Sequence, residues 1–245
     1  MKLRSKTQFT RDQYAEGYAP GSEENYWHVA RNRIIERHVR LLAAGRILDI
    51  GCGRGILVDY LNKRGLDCYG AELAEVDVPS HLQPRIFSGV AAQDLPPVLR
   101  ESIEIIVLGD VIEHLAEPVD FLRSLILAFP RLKGFILAVP ARAELWSNYD
   151  EYYGHYRRYD LAELRRTAEA AKLSVAGLQY MFRLLYPAAR AILIIRRKRN
   201  TRMGTPGALW ILHRIAAAVI LADYWLLPAW VYGTSAICRA AKQPG

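Results

Sequence analysis

The chain is predicted to be an α/β protein with a mostly parallel sheet, and three observations carry that expectation. Short apolar runs alternate with helical stretches from Arg46 onward, a glycine-rich turn separates the first run from the next helix, and the composition is that of a folded core. Runs that are apolar almost throughout belong to strands buried on both faces, and such strands joined through helices form parallel sheets. The 245 residues are 51% hydrophobic and 24% charged. That suits one sizeable core, with at most a small appendage, and excludes disordered or collagen-like chains.

In chain order, residues 1–45 read as an N-terminal helical cap, with Ser22 as its N-cap and Ile34, Ile35, Val39, Leu41 and Leu42 forming an apolar side. The strands of the core, which runs from 46 to 183, begin with RILDI (46–50), DCYGAE (67–72) and RIFSG (85–89). IEIIVLG (103–109) and GFILAVP (134–140) follow. Glu117-Pro118 places proline in the first turn of one helix, and Asp160 with Glu163 makes an acidic capping box at the start of another.

Charge and cysteine usage narrow the setting. The net charge of +8 is concentrated in residues 183–202, which hold seven Arg or Lys and no Asp or Glu. The N-terminal MKLRSKTQFTRDQY lacks the apolar stretch of a signal peptide, and three scattered cysteines argue against a disulfide framework. A cytoplasmic protein is therefore expected. No His or Cys pair sits at metal-ligand spacing, so no metal site is expected.

The segment LDIGCGRG (48–55) follows a strand and precedes a helix, the context in which a glycine-rich turn brings backbone close to a ligand. Dinucleotide sites favour G-x-G-x-x-G, but position 56 here is Ile and the glycines are 51, 53 and 55. A pyrophosphate is thus disfavoured. Glu72 ends the next strand 19 residues after Gly53, where a carboxylate accepts hydrogen bonds from both hydroxyls of a ribose. An adenosine-type ligand fits that pair; the plainer alternative is a tight turn beside a solvated strand end.

These residues resemble class I S-adenosylmethionine-dependent methyltransferases, whose first motif is matched by Leu48-Asp49-Ile50-Gly51-Cys52-Gly53-Arg54-Gly55. GDVIEHLAEP (109–118) is similar to the post-strand motif of a subgroup that includes ubiquinone-pathway enzymes. NYWHVARNRII and the D-x-x-x-G-H-x-R-R-Y string from Asp150 to Tyr159 resemble members associated with polysaccharide and glycoconjugate assembly. The resemblance implies a Rossmann-like seven-stranded sheet, six strands parallel and one antiparallel, with helices on both faces and S-adenosylmethionine as cofactor. It assigns Asp49, Gly51, Cys52 and Gly53 to the methionine end and loop, Glu72 to the ribose, and Asp110 to the cleft. The family's usual Gly-Asp-Ala is here Gly89-Val90-Ala91, which leaves Asp94 or backbone atoms for adenine. Tyr26, Trp27, Arg31, Arg157 and Tyr159 fall on the acceptor side. Methyl transfer to a hydroxyl needs a base, for which His155 is the first candidate and His114 the second, since imidazole exchanges protons near neutral pH. The alternative for His155 is a lid held by hydrogen bonds.

LSVAGLQYMF (173–182) suits the sixth strand and YGTSAICRAAK (232–242) the seventh, so the last segment, 232–245, is a strand and tail. Residues 184–231 form an insertion far longer than an ordinary connection. It reads as two apolar helices, 184–198 and 206–227, the second opened by Thr205-Pro206, with Arg196, Arg197, Lys198 and Arg199 at their joint. His213, Arg214, Asp223 and Pro228 interrupt the second stretch and Arg190 the first, so no spanning helix is read. The insertion is expected to rest on an anionic membrane at the inner face, or to act as a substrate lid or homodimer contact. The leading function is O-methylation of a lipid-linked saccharide, glycolipid or other amphiphilic acceptor. A quinone or phenolic acceptor is the alternative. A nucleic-acid methyltransferase or binding module is the further alternative, disfavoured because the basic cluster is interleaved with aliphatic rather than stacking aromatic residues.

Overall fold

The computed structural model describes residues 10–17, 19–42, 45–196, 198–201 and 204–243. Two helices, α1 (Arg11–Gly17) and α2 (Tyr26–Arg40), precede the sheet. Alternation then sets in: β1 (Arg46–Ile50), α3 (Ile56–Asn62), β2 (Cys68–Glu72), β3 (Ile86–Ser88), α4 (Pro97–Arg100), β4 (Ile103–Gly109), α5 (Pro118–Ala128) and β5 (Gly134–Pro140). After α6 (Asn148–Tyr152), α7 (Leu161–Ala170) and β6 (Leu173–Met181) come α8 (Leu185–Arg196), α9 (Trp210–Leu226) and β7 (Ser235–Lys242).

The seven strands form one sheet in the order β3-β2-β1-β4-β5-β7-β6. β7 runs antiparallel to both of its neighbours, and the remaining pairs are parallel. This is the Rossmann-like sheet expected. Successive strand residues face opposite sides, and the core divides accordingly. Ile106, Leu108, Phe135 and Leu137 pack on one side with Leu122 and Leu125 of α5 and Leu164 of α7. Ile105, Val107 and Ile136 pack on the other with Ile34 and Ile35 of α2, Val58 and Leu61 of α3, and Ile220, Leu221 and Tyr224 of α9. Part of the insertion is therefore a core helix of the second layer.

Local signals account for the element ends. Pro118 opens α5, and the reciprocal capping box of Asp160 and Glu163 opens α7, as expected. The start of α2 differs: its N-cap is Asn25, whose side chain accepts from the Trp27 N–H at 2.9 Å, while Ser22 begins a separate 3-10 turn. The insertion's first helix stops at Arg196, and Pro206 leads a 3-10 turn, Gly207–Leu209, that runs into α9. Cys52, Cys68 and Cys238 are buried free thiols.

Candidate active site

A cavity of about 610 Å³ opens at the carboxyl ends of β1, β4 and β5, the edge where ligands collect in open α/β sheets. Asp49 lines it from the end of β1, and Gly51 and Cys52 from the turn that leads to α3. The turn needs glycine: Gly51 has φ +74°, and a Cβ there would lie 2.8 Å from Val111 Cγ2. Gly53, also at positive φ, turns its N–H to Glu72 Oε2 at 2.9 Å.

Arg31 dominates this end. Its guanidinium pairs with Asp110 at 2.8 Å and lies over the Trp27 ring, 5.0 Å from the centroid. A Cβ at position 109 would collide with that guanidinium, so Gly109 is what admits it. Asp110 itself adopts φ +58°, an uncommon backbone conformation outside glycine that clusters at functional sites. Asp49 is buried, which lifts its pKa to about 7 against the pull of Arg31, with the Glu72 and Asp110 carboxylates adding to the rise. Arg31, read from sequence as an acceptor residue, thus stands among the carboxylates expected to hold the cofactor.

The opposite end is built by the loops after β4 and β5. Asp150 is fully buried in α6 and accepts from the Ser147 N–H, from Arg158 Nε at 2.7 Å and from His155 Nδ1 at 2.8 Å. Burial alone would raise the Asp150 pKa, but the bonds from His155 and Arg158 hold it below the ordinary carboxylate value. An ionised Asp150 only accepts, so His155 carries its proton on Nδ1 and keeps Nε2 as the basic nitrogen. The His114 ring lies 4.6 Å from the His155 ring, edge to face, and burial together with His155 lowers the His114 pKa to about 4. Glu113 is fully buried, neither carboxylate oxygen has a hydrogen-bond partner, and burial beside Asp110 drives its pKa well up.

Glu113, His114 and His155 offer ligand atoms within 4.8 Å of one another. One carboxylate with two imidazoles is a donor set suited to a transition-metal ion. Sequence spacing did not signal it, because the fold brings His155 to the adjacent pair.

Several expected site residues stand elsewhere. Tyr159 is 2% exposed, belongs to the core and aims its hydroxyl at the Ile112 carbonyl. Arg157 donates to the Leu115 and Ala116 carbonyls and props that turn from outside the cavity lining. Asp94 is exposed on a 3-10 turn, away from the lining. Glu72 is buried and already engaged, by Tyr14 Oη at 2.8 Å, Gly53 N and Ala74 N. Tyr26 and Trp27 do line the cavity. So does Arg199, which is exposed like its basic neighbours but tethered: Asn148 bonds its backbone N–H and C=O, and its guanidinium lies over Tyr149, 4.7 Å from the centroid. Arg196 and Lys198 are exposed, and Arg197 lies outside the described residues. Arg158, expected only as a hydrogen-bonding support of the lid, bonds Asp150, while Asp150, Glu113 and Tyr149 line or support the site without having been assigned a role. The Asp150 to Tyr159 string held the signal for two of them, since its own Asp and second Arg flank His155.

A glycine turn after β1, an acidic residue ending β2, and a cleft at the strand ends of a 3-2-1-4-5-7-6 sheet together define a Rossmann-like methyltransferase. A family model described as a methyltransferase domain matches residues 26–176, and the chain belongs to that family, whose methyl donor is S-adenosylmethionine. It is 32% identical over 83 residues to a ubiquinone biosynthesis O-methyltransferase of Roseobacter denitrificans, covering 31% of this chain and 34% of that protein. A like-named protein of Pseudomonas syringae pv. tomato is 28% identical over 90 residues, 34% of this chain and 39% of its own. The match thus spans little more than a third of these relatives. Among solved structures, a 1,6-didemethyltoxoflavin-N1-methyltransferase of Burkholderia thailandensis with bound S-adenosylhomocysteine superposes with TM-score 0.55. It is 16% identical, over 95% of this chain and 85% of that one. A phosphoethanolamine N-methyltransferase of Haemonchus contortus with S-adenosyl-L-methionine has TM-score 0.52 at 14% identity, over 87% and 52%.

Proposed function

We propose that the protein transfers a methyl group from S-adenosylmethionine to a hydroxyl oxygen of an amphiphilic acceptor, such as a lipid-linked saccharide or glycolipid, at the cytoplasmic face of a membrane. The observation that carries this is one cavity with two chemically different ends: Asp49, Arg31 and Asp110 at one, and a histidine oriented by a buried aspartate at the other. Between them α8 contributes an apolar wall of Leu185, Ala188, Ala189, Ile192 and Leu193.

The residues fit the cofactor. The turn at Gly51 would let the cofactor approach the backbone, Asp49 would hold the amino group of its methionine end, and Arg31 would hold its carboxylate. A ribose hydroxyl would take the place of Tyr14 on Glu72 Oε1. S-Adenosylmethionine, when bound, supplies an electrophilic methyl on a sulfonium. His155 Nε2, left free by the Nδ1 bond to Asp150, would accept the proton that the acceptor's hydroxyl loses on methylation. Asp150 holds the ring in the productive tautomer, and the enclosing aromatic walls exclude water and align the reactants.

A quinone or phenolic acceptor is the second reading, favoured by the names of the two relatives above. Both readings share one test. Purified protein is incubated with methyl-labelled cofactor and membrane-lipid, saccharide, quinone-precursor and RNA fractions. Label is expected in a lipid-soluble ether, with His155→Ala slowing transfer ~100- to 10,000-fold at unchanged cofactor affinity. Label in RNA alone, or a rate loss below tenfold, removes the acceptor class or the base, respectively.

A further inference from the structure

Large exposed apolar side chains are not spread over this molecule. They concentrate in residues 184–232, where Ile195 is 78%, Ile194 66% and Trp230 72% exposed. α8 has no buried residue. In α9 the buried residues Ala217, Ile220, Leu221 and Tyr224 follow helical spacing on one stripe. Ile211, Ile215 and Val219, four apart, form another stripe and are half or more exposed.

Gly207–Leu226 is long and apolar enough to cross a bilayer by length and composition. Its inner stripe belongs to the protein, however. Tyr224 Oη bonds His38 Nε2 at 2.6 Å, Asp223 Oδ2 accepts from the Arg183 N–H at 2.8 Å, and Arg37 stacks on Trp225. A helix fixed to the core along one side cannot be surrounded by lipid; it can lie in the interface with its outer stripe immersed.

Charge decides what covers that stripe. From Leu184 to Ala222 there is no Asp or Glu, while Arg190, Arg196, Lys198 and Arg214 are exposed. A segment of apolar side chains whose own charges are all positive matches the acyl boundary and phosphates of an anionic bilayer; against a second copy of the same face, the cations would meet like charge.

We infer that the outer faces of α8 and α9 dock this protein on an anionic membrane, with Ile194, Ile195 and the Ile211–Val219 stripe in the interface. Docking sets the cavity beside the lipids. α8 immerses Ile194 and Ile195 while its Ile192 and Leu193 wall the cavity, which Thr201 and Gly204 also line, their carbonyls accepting from Tyr153 Oη and Asn25 Nδ2. An acceptor held in the bilayer then reaches His155 without leaving it. This last step rests on the methyltransferase reading; the docking does not.

The test is flotation of the full chain on vesicles of phosphatidylcholine with phosphatidylglycerol, with parallel titration of S-adenosylhomocysteine. The wild type floats at low salt, and a rise to about 0.5 M salt reduces the floated fraction severalfold without abolishing it, because charge is screened and apolar insertion is not. Ile194→Glu with Ile195→Glu lowers flotation at least tenfold while keeping cofactor-product affinity. Val98→Glu with Leu127→Glu, at exposed apolar sites 81% and 84% accessible elsewhere, floats like the wild type. Wild type that stays in solution, or a double Ile194/Ile195 variant that still floats, overturns the docking. So does a soluble dimer that the same variant splits, for then a second copy covers the face. Absence of S-adenosylhomocysteine binding in a floating protein would instead overturn the function proposed above.

Discussion

At one end of the cavity, Asp49, Gly51 and Cys52 lie within four residues of one strand and turn. At the other, Glu113, His114, Tyr149, His155, Arg158 and Arg199 come from three separated segments of chain. The first end recognises by backbone shape, with glycines admitting close approach and fixed carboxylates at strand tips. The second recognises by side chains that hold one another: Asp150 orients His155, Asn148 anchors Arg199, and Tyr149 carries the Arg199 guanidinium. A backbone site tolerates little change in size but little depends on its neighbours' chemistry. A side-chain site can be retuned for a new acceptor while the other end stays the same, and the predictions below probe that independence.

The largest effect is expected at the centre of the side-chain network. Asp150→Asn keeps the shape but replaces an acceptor-only carboxylate by an amide that can also donate, so the proton on His155 Nδ1 is no longer enforced and Arg158 loses its counter-charge. Methyl transfer should fall ~100-fold or more, with S-adenosylhomocysteine affinity changed less than threefold. The pH dependence of the rate should shift as well, which a merely structural role would not produce. Breaking a buried ion pair costs ~3 to 5 kcal/mol of stability, so thermal unfolding of the same variant separates loss of fold from loss of proton transfer. An unchanged rate in a folded variant would detach Asp150 from the mechanism.

The backbone end is broken most directly at Gly109. Gly109→Ala forces the Arg31 guanidinium off Asp110. Losing a charge-assisted contact to the carboxylate of the cofactor should weaken S-adenosylhomocysteine binding by ~1.5 to 3 kcal/mol, ten- to a hundredfold. Calorimetric titration measures it, and wild-type affinity would show that Arg31 has another task.

How much of each end the sequence displayed follows from the same contrast. β4 and β5 match their expected limits because contiguous apolar runs fix a doubly buried strand without any knowledge of partners. The glycine turn was equally visible, being a property of eight consecutive residues. The side-chain end was visible only in part. Arg199 is indistinguishable in sequence from its basic neighbours, and what sets it apart is Asn148, 51 residues away. Tyr159 sits in a polar string yet is a core residue, because the parallel bridge between Ala141 and Tyr159 seats it beside β5. The sequence places Arg31 with Tyr26 and Trp27 on the acceptor side; it stacks on Trp27, one helical turn back, but its charged tip reaches Asp110. Ser22 and Asn25 are both good caps, and the 3-10 turn between them decides which one serves α2.

A smaller effect sharpens the assignment of Glu72. Glu72→Ala should weaken S-adenosylhomocysteine ~tenfold or slightly more, since a ribose would lose one charge-assisted acceptor. Tyr14→Phe should leave affinity unchanged or tighten it up to about threefold, because the phenol that occupies Oε1 would no longer compete. If Tyr14→Phe weakens binding as much as Glu72→Ala, the phenol is part of the bound site and the ribose sits elsewhere.

The smallest effect is a pH dependence confined to the backbone end. Asp49 has its pKa near 7 because it is buried, and the carboxylates of Glu72 and Asp110 add to that. It is therefore protonated through much of the acid range, and on the proposed binding mode only its ionised form would pair with the ammonium of the methionine end. Binding of that ammonium favours the carboxylate, so affinity should rise with pH and fall as pH drops through 7. Between pH 8 and pH 6 the ionised fraction falls about tenfold, which makes the expected loss of S-adenosylhomocysteine affinity about 1.4 kcal/mol. Asp49→Asn should bind more weakly at pH 8 and show a flat profile. The contrast with the other end gives the measurement its force, because His155→Ala should reproduce the wild-type profile of cofactor affinity. A wild-type affinity that is level from pH 6 to pH 8 would mean that Asp49 is already ionised or does not meet the ammonium. A profile altered by His155→Ala would mean that the two ends are coupled.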